Sequence, residues 1–204
     1  RLRMERQPMR FFVDDWDGLI RGAAETFAVF LGARGRDLAF VDNATTAVNA
    51  VARSLPLKAG EDIVTTEHVY NAVGHTLRFV AERAGATVTR IDLPFPAGSP
   101  DDLLERLDEA ISPRTRLVVL DHITSATGLV LPIASAVRIC RDRGVPVLVD
   151  GAHAPGQVPL DLEALGADWY TGNAHKWLCT AKGCAFLWTR RDAPDRGHIR
   201  PCVI

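Results

Sequence analysis

Apolar positions along the chain switch between two spacings, one suited to helices and one to strands. Leu19, Ile20, Ala23, Phe27, Phe30 and Leu31 recur at three- and four-residue intervals, which predicts a helix with that stripe inward and Asp14 or Asp15 as its cap. Leu38-Ala39-Phe40-Val41 predicts a short buried strand, and Asn43 then caps a helix through Val48, Val51 and Ala52 to about Leu55. Beyond Gly60, residues 62–66 predict a strand, 70–83 a helix ended by Gly85, and 86–93 a strand with β-branched alternation. Pro94, Pro96, Gly98 and Pro100 predict a loop, and Asp101 opens a helix to about Ile111. Residues 115–120, continuously apolar from Leu117, and 145–149, apolar throughout, predict strands separated by a helix at 134–143 that Gly144 closes. A short helix near Leu162, a strand at 168–170 and a last strand at 183–188 complete the pattern.

Strands alternating with helices of ten to fifteen residues indicate an α/β fold with a largely parallel sheet. Val145-Pro146-Val147-Leu148-Val149 has the continuous apolar character of a strand covered on both faces. No repeat or low-complexity linker divides the chain, so residues 1–204 read as one large domain. The stretch 196–204 contains Pro201 and ends on Val203-Ile204 with no closing helix, which reads as a chain cut before a second domain. Over 204 residues, 24 Lys+Arg against 25 Asp+Glu give no electrostatic case for a nucleic-acid or membrane partner. No apolar run reaches the roughly 20 residues of a membrane span. Cys140, Cys179, Cys184 and Cys202 are too scattered for a disulfide framework and form no Cys-x-x-Cys pair. Cys184 reads as core, and the expected compartment is the reducing cytoplasm.

In open α/β sheets, ligands bind outside the carboxyl ends of the strands. Five of the predicted strands run into polar segments there: Asn43-Ala44-Thr45-Thr46, Thr66-Glu67-His68-Val69-Tyr70, Asp121-His122-Ile123-Thr124-Ser125, Asp150-Gly151-Ala152-His153 and Thr171-Gly172-Asn173-Ala174-His175-Lys176. Lys176 beside Trp177 is a candidate desolvated amine for nucleophilic or Schiff-base chemistry, or a surface lysine next to a core indole. Asp150 ends an apolar strand, where a carboxylate calls for a cation such as a protonated pyridine nitrogen or a metal; otherwise it caps the turn at Gly151. Asn43, Thr45 and Thr46 open a helix whose N–H groups and dipole favour a phosphate. His68 and Tyr70 each offer a ring for stacking, while His122, Ser125 and His153 offer hydrogen-bonding groups. A phosphate, a flat ring with a basic nitrogen and an aldehyde that meets a lysine would use all these parts, and pyridoxal 5'-phosphate has them.

Asp150-Gly151-Ala152-His153-Ala154-Pro155-Gly156-Gln157 and Gly172-Asn173-Ala174-His175-Lys176-Trp177-Leu178 resemble the class V aminotransferase family of fold-type I pyridoxal-phosphate enzymes. Residues 43–46, 121–125 and the opening Glu5-Arg6-Gln7-Pro8-Met9-Arg10-Phe11-Phe12 are similar, in particular, to its isopenicillin N epimerase-like branch. The resemblance implies a three-layer αβα large domain with a mostly parallel mixed sheet, normally followed by a smaller C-terminal domain in which the substrate-carboxylate arginine lies. It implies Lys176 as the Schiff-base residue and Asp150 as the partner of the pyridinium nitrogen. It places His153 near the cofactor's phenolic oxygen, and Asn43, Ala44, Thr45, Asn173 and His175 around the phosphate. His68, or else Tyr70, becomes the stacking ring, and Ser125 stands where cysteine desulfurases have an asparagine. It further implies a homodimer and a small amino-acid-type substrate.

Epimerisation, transamination and C–S lyase or desulfurase chemistry share this machinery, and the residues do not separate them. Two readings of other classes stand beside it: a metal-dependent hydrolase built on Asp150, His153, His122 and His175, and a non-catalytic fragment that keeps only the fold.

Overall fold

The computed structural model describes residues 2–93 and 98–201. Pro94 and Pro96 of the predicted loop, and Cys202, Val203 and Ile204, lie outside the described residues. The chain opens with α1 (Leu2–Arg6), α2 (Pro8–Arg10), a π-helical turn (Phe11–Asp15) and α3 (Trp16–Phe30). It continues through β1 (Leu38–Val41), α4 (Ala44–Ser54), β2 (Asp62–Thr66), α5 (Asn71–Ala84), β3 (Thr87–Ile91), α6 (Pro100–Ala110) and β4 (Thr115–Asp121). Then come α7 (Ile133–Asp142), β5 (Val147–Asp150), α8 (Leu162–Leu165), β6 (Trp169–Asn173), α9 (Ala174–Trp177) and β7 (Ala185–Thr189).

The strands form one mixed sheet in the order β1-β7-β6-β5-β4-β2-β3. β7 is antiparallel to both neighbours, and the remaining pairs are parallel. β1, antiparallel to a reversed strand, therefore runs with the others, and all strands but β7 end on the same edge.

The period-two alternation of the central strands explains the three layers. Val118, Leu120, Val147 and Val149 join Leu103 and Leu107 of α6 and Ile133, Val137 and Cys140 of α7 in one core. Their chain neighbours Leu117, Val119 and Leu148 join Val48 and Val51 of α4 and Val73 and Leu77 of α5 in another. Gly85 ends α5 in the left-handed conformation at φ 68°, which glycine adopts without steric cost.

Most predicted elements lie within one or two residues of the observed ones, and five readings need correction. α3 touches the core through Ala24, Phe27, Ala28 and Leu31, so Leu19 and Phe30 of the expected stripe face outward at 47% and 52% exposure. Asp15 makes no cap hydrogen bond, because helical backbone continues upstream of it, and its carboxylate accepts from Arg3 at 2.9 Å. β1 is only partly covered: it lies on the sheet edge, paired with β7 alone. β6 extends beyond residue 170 to Asn173, and Cys184 is half-buried rather than core.

Among the described residues no helix is long and apolar enough to cross a membrane.

Candidate active site

The topology delivers five polar segments to one edge, and four of them, all but 121–125, surround a cavity of about 800 Å³ lined by Asn43, Ala44, Thr45, Tyr70, Asp150, Asn173, His175 and Lys176. One wall is the N-terminus of α4. The Asn43 side chain accepts from the Thr46 amide at 2.8 Å, and Asn173 at the end of β6 accepts from the Ala44 amide at 2.9 Å. The oxygens of both asparagines are thus committed to the helix end, while the Thr45 amide has no acceptor among the described residues. That helix end carries the positive pole of the macrodipole into the cavity, which suits an anion.

The floor is the end of β5 and β6. Asp150 is 2% exposed, with the Ala152 amide donating to its Oδ1 at 3.0 Å. Burial pushes its carboxyl pKa up, against the Ala152 bond and the Lys176 ammonium, which favour the charged form. Lys176 is half-buried one turn beyond β6. Burial lowers its ammonium pKa, opposed by the negative charge of Asp150 and Asp121. Trp177 is itself 52% exposed, so the indole beside the amine is not a core residue.

Lys176 Nζ lies 2.9 Å from His153 Nε2, and the Trp177 indole N–H donates to His153 Nδ1 at 3.3 Å. An indole can only donate, so Nδ1 is the unprotonated nitrogen and a neutral His153 carries its hydrogen on Nε2. That hydrogen points at Lys176, where only a neutral amine offers a lone pair to accept it. Burial, and the charge of Lys176, keep the His153 pKa low, consistent with the neutral ring. Burial thus moves Lys176 toward the free amine, the form in which it attacks a carbonyl.

The other candidates sit around this centre with different roles. Tyr70 lines the cavity and is 44% exposed. His68 is anchored through both ring nitrogens, to Thr127 Oγ1 at 3.0 Å and the Leu93 carbonyl at 2.7 Å. His175 is pinned by its amide and Nδ1 to the Cys184 carbonyl, at 3.0 and 2.8 Å, leaving Nε2 for the cavity. Ser125 is exposed and does not line the cavity, and its neighbour Thr124 is spent inside its own loop on Thr127 and Leu129. His122 Nδ1 meets the Tyr170 hydroxyl at 2.8 Å, and burial holds the His122 pKa down to about 4. A Cβ at Gly151 would overlap that same hydroxyl, so glycine is what lets the chain turn over Tyr170. Among the described residues no three His, Cys, Asp or Glu side chains converge as a metal site.

Sequence reasoning passes over Asp121. It ends β4 directly beside Asp150 in the parallel register and is 3% exposed. The signal is present: Val118-Val119-Leu120-Asp121 repeats the pattern of Val147-Leu148-Val149-Asp150, an acid closing an apolar strand. Tyr170, at the second step of β6, likewise reads only as strand.

Comparison with known proteins fits this geometry. The family model "Aminotransferase class-V" matches residues 14–201. An isopenicillin N epimerase of Amycolatopsis lactamdurans is 42% identical over 204 residues, covering 98% of this chain and 51% of that protein. An L-cysteine desulfhydrase of Arabidopsis thaliana is 31% identical over 220 residues, covering 99% of this chain and 48% of its own. Among solved structures, the cystine C–S lyase C-DES in complex with cysteine persulfide superposes with a TM-score of 0.83 at 29% identity, over 91% of this chain and 49% of that one. A C-DES mutant with glycine covalently linked to its PLP cofactor gives 0.81 at the same identity, over 91% and 48%. The chain thus spans about half the length of the relatives it matches. With a matching family model over most of its residues, the chain belongs to the class V aminotransferase family.

Proposed function

We propose that residues 1–204 form the pyridoxal-phosphate-binding large domain of an enzyme acting at the α-carbon of a small amino acid or amino-acid derivative. The observation that carries this reading is the half-buried Lys176 amine, held by neutral His153 above a buried Asp150 and facing the N-terminus of α4. The donor set fits the cofactor part by part. A buried carboxylate matches a protonated ring nitrogen, a free amine matches an aldehyde, and a helix end with an uncommitted amide matches a phosphate.

When bound, the cofactor supplies an aldehyde and an electron-withdrawing ring. This chain's residues do the rest. Asp150 holds the proton on the ring nitrogen, Lys176 binds the aldehyde and then moves the α-proton, and Thr45 with the α4 terminus holds the phosphate. His175 Nε2 and the asparagines Asn43 and Asn173 shape the phosphate end. The stacking ring is His68 or else Tyr70, of which Tyr70 lines the cavity, and His153 positions the lysine.

Among the chemistries that share this site we favour the epimerase-like one, on the 42% identity to isopenicillin N epimerase. C–S lysis is the second reading, favoured by the C-DES likeness. We also read the protein as a cytoplasmic homodimer: Met9, Phe12, Val13 and Trp16 of the N-terminal helices are exposed, an apolar surface suited to a second copy. Light scattering on the full polypeptide would show a dimer, and a monomer would remove that part.

The central test is borohydride reduction of the protein mixed with pyridoxal phosphate. The expected result is one adduct, on Lys176, lost at least a hundredfold in Lys176→Ala. An undiminished adduct in that variant would end this assignment. Substrate deuteration at the α-carbon without release of a sulfur product separates epimerisation from C–S lysis.

A further inference from the structure

Two carboxyls meet where β4 and β5 end, Asp150 lining the cavity and Asp121 beside it but outside the lining, and the proposed chemistry uses one. Asp121 and Asp150 are paired residues at the ends of adjacent parallel strands, and both are all but inaccessible. The Tyr70 amide donates to the Asp121 carboxyl, but its Oδ2 is buried with no hydrogen-bond partner. No arginine or lysine is paired with it among the described residues. Two ionised carboxylates side by side without a bound cation are strongly disfavoured in such a place. The groups facing Asp121 are Asp150 from β5, Lys176 from α9 and the Tyr70 amide ahead of α5. Directly after β4 comes His122, tied to Tyr170 of β6.

We propose that Asp121 is a positioning residue that acts through Asp150: it stands as a neutral acid, so that the pair carries a single negative charge, that of Asp150. With Asp121 neutral, Asp150 is the one acceptor for a cationic ring nitrogen, and the pull on Lys176 toward its ammonium form is halved in number of charges. Ionisation of Asp121 adds a second negative charge and draws the amine back to ammonium. The site then loses its nucleophile on the alkaline side, where an isolated lysine would gain one. Burial, and the charge of Asp150, raise the Asp121 pKa to about 8, which sets where this happens. The functional part rests on the pyridoxal-phosphate reading above, whereas the protonation of Asp121 is a property of the protein alone.

The test is infrared spectroscopy of the full polypeptide, with and without pyridoxal phosphate, from pH 5 to pH 10. The expected result is the C=O stretch of a buried protonated carboxyl at neutral pH that disappears on raising the pH through about 8 and is absent from Asp121→Asn. In Asp150→Asn the neighbouring charge is gone, and the stretch should titrate about one pH unit or more lower. With cofactor, the absorbance of the wild-type adduct should show an alkaline step that Asp121→Asn lacks and Asp121→Glu restores. A purely structural role for Asp121 would move none of these. Absence of the stretch in the wild type, or its survival in Asp121→Asn, overturns the proposal. If the stretch behaves as expected but no adduct forms on Lys176, the neutral acid stands and the cofactor reading falls.

Discussion

The two edges of the sheet treat the same residue type in opposite ways. At the edge where the parallel strands begin, Asp62 and Asp168 are buried and each accepts two hydrogen bonds. Thr87 and Thr89 donate to Asp62 at 2.8 and 3.0 Å, and Arg190 and the Val147 amide donate to Asp168 at 2.6 and 2.8 Å. At the edge where the strands end, Asp121 and Asp150 are buried at least as deeply but have only one backbone donor apiece from neighbouring segments, Tyr70 and Ala152. A carboxylate retained for the fold is surrounded by donors. One retained for a ligand is left short of them, and its unfavourable desolvation is what a bound cation relieves.

The contrast can be broken most severely at Asp168. Asp168→Ala leaves Arg190 and the Val147 amide without their acceptor and should cost about 3 kcal/mol in a denaturant titration. Asp150→Asn should do the reverse, raising stability by about 1 kcal/mol at pH 9 while weakening pyridoxal-phosphate binding at least about tenfold. A loss of stability at Asp150 matching that at Asp168 would erase the distinction between the edges.

His122 sharpens the comparison on the acid side. Its pKa is depressed to about 4, so its contribution to stability is complete above the unfolded value near 6.5 and is lost as the pH falls toward 4. His122→Gln should flatten that limb by up to about 1.4 kcal/mol per pH unit, read from chemical unfolding at several pH values. The smallest effect is expected from Thr89→Val, about 0.5–1 kcal/mol, because Thr87 still serves Asp62.

The edges also differ in how far they could be read in advance. Apolar runs such as 117–120 and 147–149 announce strands covered on both faces, and the polar residues after them locate the ligand edge. Asp150 was legible because an acid at the end of such a run has few explanations. Asp121 obeys the same rule, yet it escaped because the following His122 and Ser125 drew the chemistry away from it. The environment of Lys176 was not legible either, since the His153 contact spans 23 residues and depends on how β5 and β6 end side by side. The outward face of α3 misled for a related reason. Spacing identifies a helix, but the choice of inner stripe belongs to the sheet beneath it, which selects the small Ala24 and Ala28 over Leu19.

The reversal of β7 has a mechanical consequence. Coming back from the far edge, it begins where β6 has just finished, and the Cys184 carbonyl at its start grips His175, the residue before the lysine. The reactive turn is therefore clamped at its root, and the connecting loop at 178–183 is tied back at its near end, where the Cys179 and Thr180 amides donate to the Lys176 and Ala174 carbonyls at 3.4 Å. Residues inserted at Gly183, where the chain has open space, would lengthen the bight without slackening the hold on the amine.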